Sequence, residues 1–291
     1  MQVLVVGNAG LDLRLSVPRL PVAGETLVGS AGPRAPGGKG LNQAVVAARC
    51  GVEVHFCAPL GNDEAEAREI ERHLAVEGFA GLILPRLPHP TDFSLLMVLP
   101  GGENSIVSTS ACSLALTRVE VEPALQGLAA GDVLLLQGNL SLDTTGFLLA
   151  EARRRQATTI FNPAPFWPGA EKLVARCSYV IANAVEAAAL GASLDDAGAA
   201  IVTRGGDGCE LIGHGQRRSF PAERVAAVDS TGCGDTFCGT LAAALVRGLP
   251  VDHAIGVAQR AAALTATRPG AFDALPSRDE LGAIFTKETM S

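Results

Sequence analysis

Asp229-Ser230-Thr231-Gly232-Cys233-Gly234-Asp235-Thr236-Phe237 is the stretch whose reading decides the rest of the chain. Two glycines flank a small residue, a carboxylate follows at once, and Phe237, Leu241, Ala244 and Leu245 then recur at helical spacing. Glycine lets the backbone turn tightly and approach a ligand closely. The first N–H groups of a helix lack internal partners and sit at the positive end of its dipole, so they make an anion site. An aspartate there either caps the helix or takes a proton from a hydroxyl attacking a phosphoryl group. Taken alone, the string favours the cap, because small-residue turns closed by Asp are common.

The composition narrows the classes. The chain has 291 residues, 48% of them hydrophobic and only 4% aromatic, with 33 glycines, which suits close packing of helices on a sheet in a single α/β domain. The net charge of −7 and the lack of a basic patch exclude a nucleic-acid binder. Any phosphate must therefore be held locally. Seven scattered cysteines (Cys50, Cys57, Cys112, Cys177, Cys209, Cys233, Cys238) form no Cys-x-x-Cys pair. They read as reduced thiols of a cytoplasmic protein rather than a disulfide frame or zinc site. Cys233 stands apart, because thiol pKa values fall at helix N-termini, although a small residue filling the turn explains it better. The opening run Met1–Gly7 is too short for a signal peptide and lacks its basic start, and no apolar run is long enough to span a membrane.

Continuous apolar runs bounded by glycine predict parallel strands buried on both faces at Val3–Val6, Val54–Cys57, Val133–Leu136, Thr158–Phe161, Tyr179–Ile181 and Ala200–Val202. Helical patterns fall between them at Leu41–Arg49, Glu64–Val76, Thr144–Arg155 and Val185–Leu190. The alternation predicts a doubly wound, mostly parallel sheet flanked by helices. Two regions break it. Leu13–Val17 alternates apolar and polar residues and is followed by Glu25–Gly29; Phe93–Leu99 and Ser105–Ser108 read as a hairpin turning through Pro100-Gly101-Gly102-Glu103-Asn104. Between Gly191 and Ala200 there is room only for a turn or a very short helix, which leaves the neighbouring sheet without an evident cover.

A second glycine-rich segment, Pro36-Gly37-Gly38-Lys39-Gly40-Leu41-Asn42-Gln43-Ala44, lies far upstream of the first. Together the two resemble the signature regions of the ribokinase-like (PfkB) carbohydrate kinase family, and the resemblance runs from Val3 to Phe285. It includes Ala23-Gly24-Glu25-Thr26, Asn162-Pro163-Ala164-Pro165 and Thr267-Arg268-Pro269-Gly270-Ala271. It implies an ATP-dependent phosphotransferase acting on a small sugar, with residues 11–36 and part of 90–110 forming a β-lid over the sugar. In many relatives such a lid also forms the dimer contact, so a homodimer is expected.

The same resemblance assigns residues. Asp235 would be the general base and the Gly232-Cys233-Gly234 backbone the anion hole. Gly10, Asp12, Gly38, Lys39, Gly40, Asn42 and Asn139 would line the sugar pocket. Asn183, Thr203, Gly205, Gly208, Gly234 and Gln259 would meet the nucleotide, and Glu186 would hold Mg²⁺ through water. Asp229, Thr231, Thr265, Arg268 and Gly270 would surround a potassium ion. Singly, many of these have plainer explanations: Asn183 with Glu186 resembles a capping box, and Thr203-Arg204-Gly205-Gly206-Asp207-Gly208 resembles a hairpin turn. Neither a Gly-x-x-x-x-Gly-Lys-Ser/Thr phosphate loop nor a dinucleotide fingerprint after the first strand occurs.

The chain also departs from ribokinases. Gly10 replaces their asparagine, Asn139 their sugar-contacting glutamate, and Ala274 a serine cation ligand. Ribose or a related pentose or ketose is the expected substrate. A nucleoside kinase, and a non-catalytic sugar or nucleotide sensor, are the alternatives.

Overall fold

Each predicted buried run forms a strand in the computed structural model, which describes residues 1–100, 104–213 and 215–289. The first part runs β1 (Gln2–Val6), β2 (Gly10–Ser16), β3 (Ser30–Gly37), α1 (Lys39–Arg49), β4 (Glu53–Cys57), β5 (Leu60–Gly61), α2 (Glu64–Leu74), β6 (Gly81–Ile83), β7 (Arg86–Leu87), β8 (Asp92–Val98) and β9 (Asn104–Ser108). It continues with α3 (Ala111–Leu114), α4 (Arg118–Leu125), β10 (Val133–Gln137), α5 (Leu142–Arg154), β11 (Thr158–Asn162), β12 (Tyr179–Asn183), α6 (Ala184–Leu190), β13 (Ala199–Thr203), β14 (Cys209–Gly213) and β15 (Gln216–Phe220). Helices α7 (Cys233–Val246), α8 (Val251–Ala266) and α9 (Arg278–Thr289) follow.

The main sheet has the order β15-β14-β13-β12-β11-β10-β1-β4-β6. It is parallel except at the β13–β14–β15 edge. From β1 the chain winds outward through β4 and β6 on one side, then returns to build β10 to β13 on the other. The switch point lies between β1 and β10, and ligands of open α/β sheets bind outside the strand carboxyl ends at such a point. Side chains of β1 alternate between two cores. Val3 and Val5 join α1, α7 and α8 on one face, while Leu4 and Val6 join α4 and α5 on the other. All four are nearly or fully buried, which explains the continuous apolar reading.

A second sheet, β3-β2-β8-β9, unites the two irregular regions. The hairpin is confirmed as the antiparallel β8–β9 pair; residues 101–103 of its turn lie outside the described residues. Glu25–Gly29 is not a strand, and β2 pairs antiparallel with Ser30–Gly37, which was not read from the sequence. Gly32, Pro33 and Pro36 disguise it, because glycine and proline are poor strand formers that sheets tolerate at edges, and β3 is an edge.

Residues Gly191–Asp196 form a short 3₁₀ turn. Leu190 and Leu194 are buried against the sheet, so two leucines supply the cover that the short segment left in question. Strands β6, β14 and β15, short or polar, were not read from the sequence.

Candidate active site at the strand carboxyl ends

Helix α7 begins at Gly232, whose φ of 80° is the left-handed conformation that favours glycine. No side chain caps this helix. The carboxylate of Asp235 therefore does not serve the cap that the sequence alone suggested. It is buried and turned toward α1, where Oδ2 accepts from Asn42 Nδ2 at 3.1 Å and Oδ1 from Gln43 Nε2 at 3.0 Å. The Cys233 N–H donates to the Ser230 carbonyl at 3.2 Å. Gly234 is exposed, and a Cβ placed there would meet nothing within 4 Å, so open space adjoins this helix N-terminus. The geometry is an uncapped positive helix end beside a buried carboxylate.

Close packing of α1 on α7 makes this possible. Gly239 lies one turn beyond Asp235, and a Cβ there would fall 2.4 Å from the Gln43 carbonyl oxygen. Gly40 similarly lets α1 meet the end of β1, since a Cβ there would stand 2.6 Å from Asn8 N. Asn8 Oδ1 accepts from Gly40 N at 3.0 Å, and Gly38 enters the helix with φ 101°.

On the proposed sugar side, Asp12 lies on β2. Burial pushes its carboxyl up to about 7; a hydrogen bond with Ser94 works against this, and the nearby charge of Asp235 adds to it. Asn42 Oδ1 and Asn139 Oδ1 are buried acceptors with no hydrogen-bond partner among the described residues. Gly10 leaves no hole where a side chain is missing. A Cβ there would sit 2.3 Å from the Asp92 carbonyl oxygen, so β8 occupies the space.

On the proposed nucleotide side, Asn183 caps α6 and forms a full capping box with Glu186. Asn183 N donates to Glu186 Oε2 at 2.9 Å, and Asn183 Nδ2 to Glu186 Oε1 at 3.0 Å. Burial raises the Glu186 pKa; the Asn183 N–H bond and the Lys39 charge lower it, and Asp235 raises it. Lys39 is half-buried, and its charge reaches Glu186. Thr203 ends β13, and residues 203–208 form the turn into the antiparallel β14, with Arg204 N bonded to the Gly208 carbonyl at 2.8 Å. Gln259 donates to the Phe220 carbonyl at 2.9 Å, which ties α8 to the end of β15.

Asp229 joins two loops. Its Oδ1 accepts from Thr231 N at 2.9 Å and Thr231 Oγ1 at 2.6 Å, and its Oδ2 from Gly270 N at 2.9 Å. Burial alone would raise its pKa, but these bonds and the charge of Arg14 outweigh burial and hold it below the usual range. Thr265 turns its hydroxyl to Thr236 at 2.9 Å, and Arg268 pairs with Glu280. Their side chains are thus engaged elsewhere. Burial, then the Asp229 and Asp235 charges, push the Cys233 thiol up to about 11 rather than down, as its helix N-terminal place alone would have it.

The sequence reading assigned no role to Gln43, Gln137 or Asn162. All three are buried; Gln43 bonds to Asp235, and Gln137 and Asn162 bond to Gln43. A signal existed, since Gln137 and Asn162 are polar residues that end parallel strands directly after apolar ones.

A family model described as pfkB family carbohydrate kinase matches residues 1–278. The chain is 30% identical to the ribokinase of Bacillus subtilis (strain 168) over 286 residues, 96% of this chain and 97% of that protein. It superposes on ribokinase from Thermotoga maritima with a TM-score of 0.87 at 29% identity, covering 98% of this chain and 99% of that one. The ribokinase of Arabidopsis thaliana complexed with ribose and ATP gives a TM-score of 0.79 at 23% identity over 97% of each chain, a likeness of fold.

Proposed function

This chain belongs to the pfkB family of carbohydrate kinases and is a sugar kinase, and from that premise we propose that it moves the γ-phosphoryl group of ATP to a hydroxyl of ribose or a related pentose or ketose. One observation carries the mechanism: Asp235 is withdrawn from helix capping and held by two amides beside the open N-terminus of α7.

In this reading the sugar lies between β2, α1 and Asn139, beneath the second sheet as a lid. Its hydroxyls donate to the unpartnered oxygens of Asn42 and Asn139. Asp12, Gly10, Gly38 and Gly40 shape the rest of the pocket. As the sugar oxygen bonds to the γ-phosphorus, its proton passes to Asp235 and the bond from phosphorus to the β-phosphate oxygen breaks, releasing ADP. The N–H groups at Gly232–Gly234 face the charge on the transferring group, and Lys39 adds to them. Closure of the lid excludes water as a competing acceptor.

Asn183, Thr203, Gly205, Gly208 and Gln259 are the proposed nucleotide side. Glu186 is a half-buried carboxylate there, a donor that suits hydrated Mg²⁺; the ion would neutralise phosphate charge. The two loops that Asp229 ties together at Gly270 are the proposed potassium site, with Asp229, Thr231, Thr265, Arg268 and Gly270 as its ligands by main chain or side chain and no hydroxyl from Ala274. Phe93 and Val107 are exposed on one face of the second sheet, which supports a homodimer through that face. Among the described residues no helix is long and apolar enough to cross a membrane. The unpaired cysteines support a cytoplasmic location, and the proposed partners are the small sugar and ATP.

The test is ADP release with MgATP, with and without potassium, against ribose, other pentoses, fructose, sugar acids and nucleosides. Asp235→Asn is expected to keep both substrates' binding while turnover falls by about a hundred- to ten-thousandfold. Turnover near that of the parent would remove Asp235 as the base. Binding of ATP without turnover of any acceptor would favour the sensor.

A further inference from the structure

We infer that Gln43 is a positioning residue for the phosphoryl-transfer base: a buried chain of three amides, Gln137, Gln43 and Asn162, sets the orientation of the Asp235 carboxylate. The inference rests on the reading of Asp235 given above and extends it to residues that touch neither sugar nor nucleotide there.

The donor and acceptor directions follow from one fixed point. Asn162 Nδ2 donates to the main-chain carbonyl of Ile181 at 2.8 Å, which only an N–H can do. Asn162 must therefore present Oδ1 to Gln43, whose Nε2 donates to it at 3.2 Å. That settles which end of the Gln43 amide is nitrogen. Its second hydrogen goes to Asp235 Oδ1 at 3.0 Å. Gln43 Oε1 in turn accepts from Gln137 Nε2 at 2.8 Å. Every hydrogen of the Gln43 amide is committed, and a flipped amide would oppose its oxygen to two others. Gln43 and Gln137 are fully buried and Asn162 is 8% exposed, so water does not substitute for these bonds.

The chain also spans the site. Gln137 ends β10, next to Gly138 and Asn139; Asn162 ends β11; Ile181 lies on β12, which leads to Asn183. Gly7 keeps room for it, because a Cβ there would fall 2.1 Å from Gln137 Oε1. One oxygen of Asp235 is thereby tied to the ends of β10 and β11, neighbouring strands on one side of the switch point, while Asn42 holds the other. A carboxylate fixed at both oxygens keeps one lone-pair direction aimed at the incoming hydroxyl.

The experiment compares Gln43→Leu, Asp235→Asn and the double variant in the ADP-release assay, with thermal melts to verify folding. Gln43→Leu is expected to lower kcat by about ten- to a hundredfold with little change in KM for sugar or ATP. Since Gln43 acts through Asp235, the double variant should match Asp235→Asn to within about twofold. A parent-like kcat for Gln43→Leu, or a further multiplied loss in the Asp235→Asn background, overturns the inference and leaves the base assignment standing. Parent-like turnover in Asp235→Asn would instead overturn the base itself. If Gln43→Leu does not fold, Asn162→Ala removes the anchor of the Gln43 amide without touching Asp235. A smaller fall in kcat that vanishes in the Asp235→Asn background is then expected, and an unchanged kcat refutes the relay.

Discussion

Replacing Gly239 with alanine tests whether the α1–α7 contact sets the catalytic geometry. The added Cβ would lie 2.4 Å from the Gln43 carbonyl oxygen and 2.9 Å from Val46 Cβ. Neither neighbour is the loose end of a flexible side chain; both belong to the body of a buried helix. Ordinary contact begins near 3.4 Å, so α1 must recede by about 1 Å. Asn42 and Gln43 travel with it. Their bonds to Asp235, now 3.1 and 3.0 Å, stretch to about 4 Å and are lost. Overpacking of this kind costs about 1–3 kcal/mol, seen as a melting temperature lower by roughly 3–10 °C. Misplacing a reacting group by about 1 Å costs on the order of a hundredfold in turnover, while KM for ATP should hardly move. The assay is kcat and both KM values by coupled ADP release, at a temperature where melts show the variant folded. A folded variant with kcat within about threefold of the parent would refute the claim that this contact positions the base.

Two further outcomes follow from other groups. Burial lifts Asp12 to about 7 from an ordinary 3.8, with Ser94 opposing and Asp235 reinforcing. The unfolded chain releases that proton first, so stability due to Asp12 is full below about pH 4, falls as pH rises toward 7 and is level above it. Asp12→Asn should therefore gain on the parent across that window in denaturant melts; a difference independent of pH would refute the burial account. Arg49 meets Glu77 through both guanidinium arms at 2.8 and 2.6 Å, stacks over Phe272 at 5.5 Å and donates to the Leu275 and Pro276 carbonyls. Arg49→Met strands a Glu77 that is only 8% exposed and should cost roughly 3 kcal/mol or more. Arg49→Met with Glu77→Leu should recover most of it, and a double variant no better than the single would rule out the stranded charge as the cause.

Legibility in the sequence followed burial. Strands β1, β4, β10, β11, β12 and β13 were readable because both faces are covered, so nearly every side chain is apolar. Helices α1, α2, α5 and α6 were found to within a residue or two at each end. Strand β3 was missed because two prolines and two glycines sit on an edge, where the ladder tolerates them. Strands β14 and β15 carry polar or half-exposed residues and have no such run to read. Among the proposed site residues, Asp235, Asn42, Asn183 and Glu186 were singled out through the family resemblance. Gln43 and Asn162 lay inside quoted strings without a role, since nothing in one dimension shows that two residues so far apart meet.

The sequence by itself determined the fold class, the two glycine-rich turns and which carboxylates and amides compete for chemistry, because apolar period and glycine placement act over short distances of chain. Whether Asp235 caps its own helix or faces another was decided only in three dimensions. That choice depends on how closely α1 approaches α7, and the approach depends on Gly239 and Gly40 meeting backbone that arrives from distant parts of the chain. The same holds at Gly10, where the absent side chain is answered by a neighbouring strand rather than by empty space. Local rules specify the parts; the contacts that aim a buried charge come from packing between parts.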